Sequence, residues 1–152
     1  MHDLAWPPNG KVLLDSLLLN PEKLRSDTKT VIKVSVIRAL LRLVVSKLPF
    51  DAEFYCSTYL DVAAAHRAGA IADLHEHFIN AGFFEGRLGA KPAFDADFYL
   101  QMYPDVAEAV RTGAVESALY HYLNGGAAEG RFANSDDRAA SERWLDIVDF
   151  KA

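Results

Sequence analysis

Two charged triplets raise the first question about chemistry. Glu85-Gly86-Arg87 ends the stretch "HFINAGFFEGR", and Glu129-Gly130-Arg131 ends "HYLNGGAAEGR", 44 positions later. A carboxylate and a guanidinium held together can bind a hydroxyl-rich ligand, such as a sugar, through charge-assisted hydrogen bonds. The same residues can form a joint. The glycine then supplies backbone freedom, and the arginine pairs with Asp61, with Asp105, or with carbonyls at a helix end. The joint is the preferred reading, because helix ends leave carbonyls that need partners. Glu85, Arg87, Glu129 and Arg131, together with Tyr59 and Tyr103, are the candidate ligand- or partner-binding residues.

The other reactive side chains give less. His75 and His77 are two apart, so on a helix they point in different directions and make no zinc pair. His77 and His121 recur at the 44-residue interval, each near an expected helix C-terminus, where an imidazole bonds to carbonyls. Their expected role is structural. Cys56 is the single cysteine; it cannot form an internal disulfide and reads as a small buried apolar residue. Phe54, Tyr55, Tyr59, Phe98, Tyr99 and Tyr103 recur at helical spacing, the pattern of a core with hydroxyls reaching outward. Exposed, they would stack on sugar rings. The acids lie where caps and joints lie, rather than as a pair facing across a cleft. No phosphate-cradling glycine loop follows a strand, and no GxSxG or Cys/His nucleophile pattern occurs. No catalytic residue, metal ligand or cofactor is expected, and an enzyme is the least supported class.

These residues need elements to position them, and the chain writes those elements twice. Residues 50–89 fall on 94–133 without a gap, and 19 of those 40 positions are identical. Such a period marks one supersecondary unit stacked on itself. Asp51 and Asp95 read as helix N-caps, and Phe50 with Tyr55 and Phe94 with Tyr99 have the spacing of hydrophobic staples. Pro104 suits the first turn of a second helix. The first copy has Leu60 there, so its two helices are expected to run together. Gly69 and Gly113 close the second helices. A third helix is expected over about 71–81 and 115–125, closed by left-handed Gly82 and Gly126.

The flanks differ from the repeat. Residues 1–10 read as a loose leader, without the basic start and apolar stretch of a secretory signal. Asn20-Pro21-Glu22 reads as a helix start, with Leu19 and Leu24 as its staple. From Thr30 to Pro49, Ser35, Arg38, Arg42 and Ser46 form a narrow polar stripe and most of the rest is apolar. That is a helix covered by core or facing a partner, with a strand over Val31–Ile37 as the alternative. Arg38 and Arg42 are candidate membrane or partner contacts, although an interfacial helix usually has a broader charged face. Ala140, Trp144, Ile147 and Val148 read as an amphipathic closing helix.

The net charge of -5 is unevenly distributed. Residues 1–49 carry eight Lys/Arg and four Asp/Glu; residues 50–152 carry eight and seventeen. The acidic body disfavours binding to a nucleic-acid backbone. The basic N-terminal third can touch an anionic surface.

The two units "FDAEFYCSTYLDVAAAHRAGAIADLHEHFINAGFFEGR" and "FDADFYLQMYPDVAEAVRTGAVESALYHYLNGGAAEGR" resemble a tandem bacterial repeat of the form FD-x-x-FYL-x-x-YPDVA … HYL-x-x-G-x-x-EGR. The resemblance covers about residues 50–133. The first copy departs from it at Cys56, Leu60 and Phe78. It implies association with glycosyltransferases and other proteins of surface-polysaccharide synthesis, and it carries no catalytic residues to this chain.

The expectation is an all-α chain of two 44-residue units, each of about three short helices, at 50–93 and 94–133. A basic helical segment at 11–49 precedes them and a closing helix at 134–152 follows. The expected role is a non-catalytic interaction module with a protein partner or with itself, cytoplasmic or peripheral at the inner membrane. Glycan binding and membrane-surface binding are the alternatives.

Overall fold

A short carboxylate or hydroxyl before the helix decides where half of the eight described α-helices begin. The computed structural model describes residues 11, 12, 14, 17, 19, 22, 29 and 31–147. Among the described residues there are eight α-helices, one 3-10 turn and one π turn, and no strand. The expected leader, the Asn20-Pro21 helix start with its Leu24 staple, and Val148 lie outside them. The chain divides into two compact units, Met1–Ser46 and Lys47–Ala152.

In the first unit, α1 spans Val34–Val45. The β-branched run is thus helical from Val34 onward, not a strand, and Val31 to Lys33 precede the helix. Only Val45 of α1 is buried. Val34, Ile37, Leu41 and Val44 are 41–69% exposed. Of the two expected readings, covered by core or facing a partner, the exposure of this row disfavours the first. The spacing of those four residues places them in one row along a single face.

The second unit holds both copies. In the first copy, α2 (Ala52–Thr58), α3 (Leu60–Arg67) and α4 (Leu74–Asn80) are followed by a 3-10 turn over Gly82–Glu85. In the second copy, α5 (Ala96–Met102), α6 (Pro104–Arg111) and α7 (Ala118–His121) are followed by a π turn over Tyr122–Gly126. Asp51 accepts hydrogen bonds from the amides of Glu53 and Phe54, and Asp95 from that of Phe98. Both staples close, with ring centroids 5.4 Å apart for Phe50–Tyr55 and 5.1 Å for Phe94–Tyr99.

Three local expectations are corrected. The first two helices of copy one do not run together: Tyr59 breaks them at φ -113°, ψ 87°, as Tyr103 does at φ -124°, ψ 82° beside Pro104. The tertiary hold on these tyrosines, described below, outweighs the absence of proline. The third helices start later than expected, at Leu74 and Ala118, because Asp73 and Ser117 are their caps. Gly82 and Gly126 are not left-handed closures. The positive-φ glycines are Gly69, Gly86, Gly113 and Gly130. Gly82 and Gly126 are needed for close approach: a Cβ on either would collide with the hydroxyl of Tyr55 or Tyr99.

The cores follow the repeat. Tyr55, Val62, Ala63 and Phe78 are buried in the first copy. Tyr99, Val106, Ala118, Tyr122 and Ala133 form a buried cluster in the second, with Leu88 of the first copy packed against it. Each copy also ties its exit to its entry: Asp51 N–H donates to Gly89 O, and Asp95 N–H to Ala133 O. Cys56 is half-buried rather than buried. The last helix, α8 (Ser135–Ile147), buries none of its residues, and Trp144 is 62% exposed. It does not seal the unit as a closing helix would. Its start is fixed instead by a reciprocal cap, in which Asp137 N–H donates to Asn134 Oδ1 and Ala133 N–H to Asp137 Oδ2.

Candidate functional site

Each triplet sits on a left-handed glycine that ends the last helical turn of its copy. Gly86 has φ +77° and Gly130 φ +75°. The turn is closed by Arg87 N–H donating to Gly82 O, and by Arg131 N–H donating to Gly126 O. This geometry sends the arginine back across its own copy towards the tyrosine that breaks the first two helices.

There it makes a dense set of contacts. The two Nη atoms of Arg87 donate to the two carboxylate oxygens of Asp61, at 3.0 and 2.8 Å. Its Nε donates to Glu85 at 2.8 Å. Its guanidinium lies 5.0 Å from the centroid of the Tyr59 ring. Arg131 repeats the pattern on Asp105 at 3.1 and 2.9 Å, Glu129 at 2.7 Å, and the Tyr103 ring at 4.8 Å. The tyrosine hydroxyls are engaged as well: Tyr59 accepts from Leu88 N–H at 2.7 Å, and Tyr103 from Phe132 N–H at 2.8 Å. The structure therefore brings Tyr59, Glu85 and Arg87 into one cluster, and Tyr103, Glu129 and Arg131 into another. Arg38 and Arg42 belong to α1 in the first unit.

The electrostatics follow from the forks. Arg87 holds the Asp61 carboxyl below the usual carboxylate range, and Arg131 does the same to Asp105. Both arginines are pushed up in turn, chiefly by their aspartates. Burial raises the Tyr59 hydroxyl, and it drives those of Tyr55, Tyr99 and Tyr122 up to about 12. His77 and His121 meet tyrosine hydroxyls rather than helix-end carbonyls: Nδ1 lies 3.1 Å from Tyr55 Oη in one copy and 3.1 Å from Tyr99 Oη in the other.

Beside the first cluster is an open groove of about 430 Å³. Tyr59, Asp61, Glu85 and Arg87 form one wall, and Leu123, Asn124 and Ala128 of the second copy form the other. Chemically, the groove presents carboxylates already paired with a guanidinium, and an aromatic ring covered on one face by that guanidinium. Such a ring is not a bare platform for a sugar. The hydroxyls of Tyr59 and Tyr103 accept backbone hydrogen bonds, so both tyrosines also serve as struts of the joint. No group of three or more metal-binding side chains occurs among the described residues.

The close packing of Gly82 and Gly126 under the buried hydroxyls escaped the sequence reading. The available signal was a glycine repeated in register at each helix end, already followed by another glycine better placed for the turn. Comparison with known proteins gave no match to a family model, a curated protein or a solved structure.

The joint carries a stability prediction. Arg87→Ala removes the fork and the aliphatic stem over Tyr59, and should destabilise the chain by about 1 kcal/mol, a modest figure because the aspartate side is solvent-exposed. Arg131→Ala should act in the same direction. The effect depends on acid. Because the folded Asp61 has a depressed pKa, the fork's contribution is complete above the ordinary carboxylate pKa of about 4 and fades as pH falls through the folded value. Urea titrations at pH 7 and pH 3 test this; an equal gap between wild type and Arg87→Ala at both would exclude the ion pair as its origin.

Proposed function

We propose that the chain is a non-catalytic interaction module serving bacterial surface-polysaccharide synthesis or its glycosyltransferases. The observation that carries this reading is the exposed apolar row Val34, Ile37, Leu41 and Val44 on α1. Four large aliphatic side chains in one row on a helix form a surface that water disfavours and a partner helix would cover. The recurring charged residues, by contrast, already satisfy one another within each copy. The link to polysaccharide synthesis rests on the repeat's resemblance alone. No helix among the described residues is long and apolar enough to cross a membrane.

The test uses the double substitution Ile37→Gln and Leu41→Gln, which keeps good helix formers at exposed positions. Proximity labelling in a bacterium with an active surface-polysaccharide system should mark glycosyltransferase components with the wild-type chain, and the double variant should lose that labelling at unchanged melting temperature. Labelling that survives the substitutions would remove α1 as the partner face. Flotation with anionic vesicles, abolished by the same changes, would reassign the row and its neighbours Arg38 and Arg42 to a membrane surface. Glycan-array binding that depends on Arg87 would instead establish carbohydrate recognition.

A further inference from the structure

The contact between the two copies has two sides, and among the described residues each side occurs a second time without its partner. On the receiving side, a Cβ on Gly86 would lie 2.6 Å from Ala128 Cα and 2.9 Å from Ala128 Cβ, so the second copy's backbone rests directly on that glycine. The equivalent glycine of the second copy, Gly130, has nothing within 4 Å of its Cβ position. Around it the receiving surface is reproduced: Tyr103, Asp105, Glu129 and Arg131 hold one another as Tyr59, Asp61, Glu85 and Arg87 do.

The covering side is also duplicated. The second copy covers Gly86 with a turn that bears Leu123, Asn124 and Ala128 along the groove. The first copy places Ile79, Asn80 and Phe84 at the matching positions. Phe84 is 48% exposed and Phe83 beside it 40%. Ala128 is itself still exposed at the joint, so a larger side chain at that position has open space for its ring.

We propose that a second copy of this chain docks head to tail, its Asn80–Phe84 turn covering Gly130 of the first. The occupant is argued by continuity with the contact inside the chain: the same receiving cluster, and a covering turn at the matching sequence positions that is a 3-10 turn in the first copy and a π turn in the second, each open once among the described residues. Such a contact is heterologous, so it leaves one receiving and one covering face open and can propagate. It would bury the Phe83–Phe84 pair, whose rings stand 5.4 Å apart on the surface. The proposal goes beyond the α1 reading and does not depend on it.

Two substitutions test it, one on each face. Phe84→Asp puts a charge on an exposed covering residue. Gly130→Asn adds a side chain to the receiving face, using the non-glycine residue that best tolerates positive φ. Gly113→Asn is the control, since Gly113 has φ +77° and open space but takes no part in the Tyr103, Asp105, Glu129 and Arg131 cluster. Sedimentation velocity of the full chain, from about 10 µM to about 1 mM, spans the range in which a small interface associates.

The wild type and Gly113→Asn should grow in mass with concentration past the dimer. Phe84→Asp and Gly130→Asn, each folded by far-UV circular dichroism, should associate about tenfold more weakly or not at all. Mixed one to one, those two variants should form a dimer and nothing larger, because only one good pair of faces remains. A wild type that stays monomeric throughout overturns the proposal. So does either variant associating alone as the wild type does, which is the result that association through α1 would give. A mixture no more associated than its components also overturns it.

Discussion

Replacing Tyr99 by alanine should destabilise the second unit by about 3–5 kcal/mol, the range for truncating a fully buried aromatic. Its ring is completely buried and lies 4.7–5.6 Å from the rings of Phe94, Tyr103 and Tyr122. A domain of this size has a total stability of about 5–15 kcal/mol, so the variant would stand near unfolding. Tyr99→Phe separates the ring from its hydroxyl. It keeps the packing and loses only the hydrogen bond to His121, at a cost of about 1 kcal/mol. Urea denaturation of the two variants beside wild type measures both. A Tyr99→Ala cost no larger than that of Tyr99→Phe would show that the ring is not a core element.

The same hydroxyls predict an alkaline transition. An unfolded tyrosine ionises near 10, and burial moves Tyr55, Tyr99 and Tyr122 to about 12 in the folded chain. Their folded values are raised, so the stability tied to the neutral phenols is complete below pH 10 and is lost as pH climbs from 10 to about 12. Phenolate absorbance and far-UV circular dichroism should change together in that window.

Gly86→Ala should cost more than Gly130→Ala, although both glycines have nearly the same φ and end the same motif. Both substitutions place an L side chain in the left-handed region, at about 1–2 kcal/mol. Only at Gly86 does the new methyl meet another part of the chain, 2.6 Å from Ala128 Cα. Relieving that overlap means moving backbone, which adds about 1–3 kcal/mol. Melting curves of the pair isolate the tertiary term, because the conformational term is shared. Equal losses at the two positions would mean that Ala128 does not rest on Gly86.

Much of the local architecture was legible in the sequence. Asp51 and Asp95 announce helix starts because an unpaired first-turn amide needs a nearby acceptor, and a short carboxylate supplies one. Gly69, Gly86, Gly113 and Gly130 mark left-handed turns because only glycine enters that region freely. Asp61 and Asp105 could be named in advance as possible partners of Arg87 and Arg131, beside helix-end carbonyls, because identical residues returned at identical offsets; the fold selects the aspartates. The three-helix unit was visible for the same reason: caps, breaks and apolar spacing agree twice over.

What the sequence could not decide is what lies across from a residue. Gly82 and Gly126 look like helix ends along the chain, and in space they are floors beneath buried tyrosines. Tyr59 has no proline after it, yet it breaks its helix because Arg87 and Leu88, nearly thirty positions away, hold the ring and the hydroxyl. The apolar row of α1 reads by composition as core or as partner-facing, and only the fold shows it exposed, since periodicity fixes which residues share a face but not whether anything covers that face. Gly86 and Gly130 are the clearest case. Their local sequences and backbone angles agree, and the tertiary structure alone places a second copy of the repeat against one and open space against the other, because a close approach is a property of two surfaces and the sequence lists them one at a time.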